Sequence, residues 1–134
     1  MKTINKNKLG EIGLFGENAA VDYLSNLGYE IIARNVIYNS HEIDIIVRDM
    51  RYIVFVEVKT RTFYADDSIY GSPASAVTKE KQAAIIKAAK AYLKENYHRR
   101  LPRFDVIEVY VFKSNEEIRI KKINHIPRAF GTRR

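Results

Sequence analysis

The run Ile53-Val54-Phe55-Val56-Glu57-Val58-Lys59 sets a carboxylate and an ammonium two residues apart inside an otherwise apolar segment. Side chains alternate between the faces of a strand, so Glu57 and Lys59 share one face with Ile53 and Phe55, roughly 6–7 Å apart, while Val54, Val56 and Val58 share the other. A carboxylate this deep in an apolar run is costly unless something compensates its charge. Asp44 poses the same problem in Ile43-Asp44-Ile45-Ile46-Val47, on what reads as the preceding strand. If both acids project from one face of a hairpin, Asp44 and Glu57 converge beside Lys59. Hard oxygen ligands of this kind suit Mg²⁺, which keeps several waters and bridges to phosphate. Such a metal lowers the pKa of a bound water and stabilises charge developing in phosphodiester hydrolysis. The lysine can position that water or neutralise the charge.

A blander account fits the same residues. Charged residues make up 29% of the chain, so a single Glu-x-Lys is expected about once by chance, and an exposed cross-strand salt bridge would explain it. What sets this pair of acids apart is position, embedded in two adjacent apolar strands.

The elements that must carry these residues are legible from periodicity. Ile12, Phe15, Ala19, Ala20, Tyr23, Leu24 and Leu27 recur at three- and four-residue spacing and predict a helix over 9–27, closed by Gly28 at a position that wants positive φ. Strands follow over 29–38, 41–48 and 52–60, and their short connections predict an antiparallel meander. A polar loop with Gly and Pro covers 61–77, longer than a compact domain needs. Thr78 is a plausible cap for a second helix over 79–97, whose apolar face is Ile85, Ile86, Ala89, Tyr92 and Leu93. Pro102 interrupts; strands are expected over 103–112 and 118–123, and the tail from Ile123 to Phe130 reads as a last turn. The order α-β-β-β-α-β-β implies one α/β domain over 1–134, a mixed sheet flanked by helices.

Composition bounds the rest. The chain has no cysteine, so any metal is held by oxygen or nitrogen. No apolar run approaches the roughly 20 residues that span a bilayer, and the lysine-bearing N-terminus lacks an apolar stretch after it; a cytoplasmic protein without a membrane role is expected. The net charge of +7 favours a polyanionic partner. It is spread over Lys2, Lys6 and Lys8, over Lys79, Lys81, Lys87, Lys90 and Lys94, over the turn His98-Arg99-Arg100, and over Arg128, Arg133 and Arg134; for most of these a solvated surface is the plain account.

The motifs Gly13-x-x-Gly16-Glu17-x-x-Ala20-x-x-Tyr23-Leu24, Gly28-Tyr29, Arg34-Asn35, Glu42-Ile43-Asp44, Val54 through Arg61 and Arg103-Phe104-Asp105-Val106 resemble the YraN-like family of bacterial proteins over almost the whole chain. That resemblance implies a restriction-endonuclease-like fold of the PD-(D/E)XK superfamily, close to Holliday-junction resolvases, and an endonuclease acting on DNA rather than RNA with Mg²⁺, Mn²⁺ substituting. It makes Asp44 and Glu57 metal carboxylates, Lys59 the catalytic lysine and Glu17 an additional acid at the metal. Without the family, Glu17 is an ordinary helix-surface glutamate bordering the apolar face. Glu42 precedes Asp44 by two residues and could assist the metal or pair with Lys59. A junction-resolving activity needs two sites, which implies a homodimer.

His41 departs from the glycine usual in the family at that place; it could reach substrate or metal, or simply face solvent at a turn. Related nucleases place a supporting Lys or Gln where Lys81 and Gln82 start the second helix, and Arg61 has the chemistry to contact phosphate. Asp105 is a rival acid whose plain account is a salt bridge with Arg34 or Arg103. Two other functions fit the same sequence: a nucleic-acid-binding module that keeps the fold without turnover, and an accessory protein using its nine tyrosines and the 61–77 loop as a contact surface.

Overall fold

A computed structural model of the chain describes residues 2–3, 10–64, 69–70 and 77–131. Its long elements follow the expected order: α1 (Gly10–Asn26), β2 (Glu30–Tyr38), β3 (His41–Arg48), β4 (Tyr52–Tyr64), α2 (Lys79–Glu95), β6 (Leu101–Lys113) and β7 (Ile118–Phe130), with two-residue strands β1 (Lys2–Thr3) and β5 (Ile69–Tyr70). The sheet runs β1-β2-β3-β4-β6-β7, with β5 paired to β4. β2, β3 and β4 form the expected antiparallel meander. β4 and β6 are parallel, in unbroken register from Tyr52↔Leu101 to Tyr64↔Lys113, and α2 makes the crossover that parallel neighbours require.

The two helices take opposite faces, and alternation along the strands decides what each covers. Val54 and Val56 join Ile45, Val47, Ile107, Val109, Val111, Ala20 and Leu24 in the core under α1. Ile53 and Phe55 join Ile46, Phe104, Val106, Ile85, Ala88, Ala89 and Tyr92 under α2. Each such fully buried aliphatic or aromatic side chain contributes about 1.5–3 kcal/mol. α1 lies mainly across β4 and β6, whereas α2 lies across β2 and β3. Gly28, at φ +100°, ends α1, and the Thr78 hydroxyl caps α2 by accepting from the Lys81 amide at 3.1 Å. Among the described residues no helix is long and apolar enough to cross a membrane.

Three expectations fail at the strand ends. β4 runs on to Tyr64 instead of stopping at residue 60, because β6 and then β5 supply partners that no local pattern announces; of the 61–77 loop, residues 65–68 and 71–76 lie outside the described residues. Pro102 lies inside β6, near its start, where a missing N–H is tolerated. The tail is no turn: β7 continues to Phe130 through a bulge between Val106↔Ile126 and Phe104↔Phe130, which absorbs Pro127 and puts Arg128 at φ +52°. Lys6, Lys8, Arg133 and Arg134 also lie outside the described residues.

Candidate functional site

The ladder between β3 and β4 ends at Ile45↔Val56 although both strands continue. Past that pair, where β4 has no β3 residue in register, the Val58 N–H donates to Asp44 Oδ2 at 2.8 Å. The alternation of β3 slips at the same place. Ile43 packs on the α2 side and Ile45, two residues on, packs on the α1 side. On the neighbouring strand Asn35, between Arg34↔Ile45 and Val36↔Ile43, sits at φ +51°, a left-handed conformation that asparagine tolerates better than most residues. This paired irregularity turns polar side chains toward one spot in the sheet.

α1 supplies the third wall. Gly16 faces β4 so closely that a Cβ there would lie 2.3 Å from the Thr60 Oγ1; only glycine lets the helix come this near. The approach buries Glu17, 3% exposed. Its carboxylate accepts from Asn35 Nδ2 at 2.9 Å and from Arg34 at 3.2 Å. Asn35 Nδ2 also reaches Glu42 Oε1 at 3.5 Å. Glu17, Glu42 and Asp44 thus bring carboxylate oxygens within 4.8 Å of one another. Burial, then the charge of Glu57, then Glu42 hold the Asp44 carboxyl well above the ordinary carboxylate range, against the pull of the Val58 N–H.

Glu57 stands outside that trio. It is buried, and its Oε2 lies 2.7 Å from Lys81 Nζ and 3.5 Å from Lys59 Nζ. Partial burial and the neighbouring Lys81 lower the Lys59 pKa against the opposing pull of Glu57. Burial would lower Lys81 as well, but its bond to Glu57 prevails and raises it. Lys59 and Gln82 also line a cleft of about 190 Å³ with Val106, Glu108 and Ile126, between the start of α2 and the β6–β7 pair.

All four acids and lysines expected at the site are therefore neighbours: Asp44 and Glu17 in the carboxylate trio, Glu57 and Lys59 in the adjoining ion pairs. Lys81 is at the site and bonded to Glu57; Gln82 turns its amide to the Val77 carbonyl at 2.9 Å. Arg61 is buried and paired with Glu108 at 3.5 Å. His41 starts β3 opposite Tyr38, half-buried rather than open to solvent. Asp105 pairs with Arg103, not Arg34. Sequence reasoning gave Glu42 a secondary place and Asn35 none, yet Asn35 joins Glu17 to Glu42, and its buried Oδ1 has no hydrogen-bond partner among the described residues. The Arg34-Asn35 motif carried the signal, but a left-handed residue inside a strand cannot be read from alternation.

Three carboxyl groups answered by one guanidinium, the Asn35 amide and the Val58 N–H have a single cation hydrogen-bonded to them, and their ligand atoms are all oxygen. That set fits a hard divalent cation.

Fold and site define the class: an α/β protein with a mixed sheet between two helices and a carboxylate–lysine site where two central strands part. The chain belongs to the uncharacterised protein family UPF0102, whose family model matches residues 16–109, in agreement with the YraN-like resemblance. It is 47% identical over 117 residues to a UPF0102 protein of Clostridium botulinum strain Hall, covering 86% of this chain and 92% of that protein. A UPF0102 protein of Caldanaerobacter subterraneus subsp. tengcongensis is 42% identical over 131 residues, 97% of this chain and all of that protein.

Proposed function

We propose that this protein is a metal-dependent endonuclease of restriction-endonuclease-like, PD-(D/E)XK type that hydrolyses phosphodiester bonds in DNA, branched or otherwise structured DNA included. The observation that carries the reading is the convergence of Glu17, Glu42 and Asp44 within 4.8 Å, next to Lys59 held at 3.5 Å from Glu57. The trio would hold Mg²⁺, with Mn²⁺ as a substitute; when bound, the ion supplies charge neutralisation and a water of lowered pKa. Asn35 bridges two of the three carboxylates by donating its Nδ2 to both, which keeps them from rotating onto other donors. Lys59, its pKa lowered by burial and Lys81, is suited to orient the attacking water and to meet negative charge on the phosphate. Glu57 keeps Lys59 and Lys81 in place, and it would join the cation if those lysines turned to substrate.

The test is a cleavage screen of duplex, single-stranded, flap and four-way-junction DNA with Mg²⁺ or Mn²⁺. Lys59→Ala and Asp44→Asn are each expected to lower the rate by about a hundredfold or more, the scale of losing a positioned charge at a reacting phosphate. The second reading, a nucleic-acid-binding module without turnover, draws on Glu57 being tied to two lysines. Salt-sensitive binding with no cleavage of any of these DNAs would replace the first reading with it. The homodimer that junction resolution requires is checked by light scattering on the purified chain.

A further inference from the structure

The α2 side of the sheet is covered unevenly. α2 spans β2 and β3, and no described helix lies over the far ends of β4, β6 and β7. Three rows of side chains cross that area, each fixed by strand register, running from half-buried or buried residues on β4 and β6 to exposed ones on β7. They are Lys59–Glu108–Asn124, then Arg61–Tyr110–Lys122, then Phe63–Phe112–Arg119. The rows are about 6.6 Å apart along the strands and neighbours within a row about 4.8 Å apart. The first row opens on the cleft that Lys59 lines. Charge on this face is sorted. Glu108 is answered by Arg61 at 3.5 Å, Asn124 at 2.8 Å and Tyr110 at 3.4 Å. Arg119, Lys121 and Lys122 are exposed, and among the described residues only Arg119 of the three has an acidic partner, Glu117 at 3.4 Å, itself half open to solvent.

Those three cations are also held in place. Arg119 lies 4.5 Å over the Phe112 ring, Lys121 4.5 Å over Phe63, and Lys122 4.8 Å over Tyr110. Lys121 reaches Phe63 because it is the extra residue of the bulge between Tyr110↔Lys122 and Val111↔Ile120. A cation resting on an aromatic face has already lost much of its rotamer freedom, so gripping an anion costs it less. The same contacts place a cation over each of these three rings, where a base would otherwise stack.

We infer that the β7 side of this face, where Arg119, Lys121 and Lys122 are exposed, is the track on which a nucleic-acid strand is held by its phosphates as it leaves the carboxylate site beside Lys59. The inference rests on the nuclease reading for the identity of the anion and adds where the strand lies and how it is recognised. Contact through phosphates alone carries no base information, so affinity is set by charge and salt and is independent of sequence. The competing account is that lysines on an edge strand merely prevent sheet-to-sheet association.

The experiment compares two charge reversals of equal size in the full chain. One is Arg119→Glu with Lys121→Glu and Lys122→Glu. The other is Lys87→Glu with Lys90→Glu and Lys94→Glu, on the exposed side of α2. Binding of a short fluorescent DNA is followed by anisotropy in EDTA, so turnover plays no part. The track variant is expected to bind about tenfold or more weaker, and to lose about two to three from the slope of log affinity against log salt. The α2 variant is expected to change by less than about threefold. The Gln triple at the three track positions, which preserves size, is expected to fall between wild type and the Glu triple. Equal losses in both Glu variants would overturn the track, as would a wild type that binds anionic lipid vesicles and no DNA. The two readings fail separately: DNA binding that needs the track without any cleavage sinks the nuclease alone. Cleavage that needs Lys59 but ignores the track reversal sinks the track alone.

Discussion

Asp105 and Asp44 are aspartates on strands of one sheet, and their surroundings treat them in opposite ways. Asp105, fully buried on β6, accepts the Arg103 fork at 2.9 and 2.8 Å and the Arg128 amide at 3.1 Å, and lies 2.8 Å from His125 Nε2. Arg103 is itself seated over the Tyr29 and Tyr52 rings and donates to the Tyr29 hydroxyl at 2.6 Å. Burial alone would raise the Asp105 carboxyl, but His125, Arg103 and the Arg128 amide hold it below its ordinary value. Asp44 accepts one backbone N–H and lies beside the charges of Glu57 and Glu42 as well as within reach of Lys81, and its carboxyl is held high. The first cluster is closed: it ties β6 to the β7 bulge and, through Tyr23 and His125 at 3.1 Å, to α1. The second is under-compensated, which is the arrangement the proposed cation site calls for. A buried acid with complete partners marks structure; one whose partners repel it marks chemistry.

The contrast breaks most visibly at Asp105. Asp105→Ala leaves Arg103 and His125 buried without their anion and is expected to cost about 3–5 kcal/mol, read from urea denaturation. A loss below about 1 kcal/mol would mean the cluster is not the closed unit described. The sign of the pH effect follows from the lowered carboxyl: its stabilisation is present above the unfolded value of about 3.8 and fades as pH falls through the lower folded value. The wild type should therefore lose stability more steeply than Asp105→Asn as pH falls from about 3.8 toward the lower folded value. Gly16→Ala comes next. The added methyl meets Thr60, pushes α1 off β4 and is expected to cost about 1–3 kcal/mol. Glu17 retreats with the helix, so divalent-cation binding should weaken as well; Gly16→Ala in a Thr60→Ala background should recover part of both, and a strictly additive double variant would show the two residues do not touch.

Period and spacing made α1 and α2 readable because each helix buries one face and repeats regularly, and the β2–β4 meander because its strands are short apolar runs between turn residues, buried on both faces where β3 meets β4. The length of β4 and β7 was not readable, since residues 61–64 and 124–130 are strand only by virtue of partners distant in sequence. The site divides in the same way. Glu57 and Lys59 obey simple alternation and were placed by it. Glu42 and Asn35 depend on the slip of β3 and β2 at Asp44, where alternation stops being a guide. Glu42 reaches the trio through that slip, not because it shares a face with Asp44 at two-residue spacing.

The smallest effect separates the two aspartates most cleanly, because it should have the opposite sign. Asp44→Asn keeps an acceptor for the Val58 N–H and removes one of three crowded carboxylates. In EDTA at neutral pH it is expected to stabilise the protein by roughly 1 kcal/mol, the energy of one pair of charges at this separation in a water-like dielectric. The raised carboxyl of the wild type gives the same direction: its contribution is complete below about 3.8 and is lost as pH rises through the higher folded value. The stability gap between Asp44→Asn and wild type should thus widen toward alkaline pH. Adding Mg²⁺ should close it, since a cation bound only by the native trio stabilises as the logarithm of one plus its concentration over its Kd, and the variant has lost a ligand. An Asp44→Asn variant that is less stable than wild type in EDTA would make Asp44 a second Asp105, and the acid cluster would then be part of the scaffold.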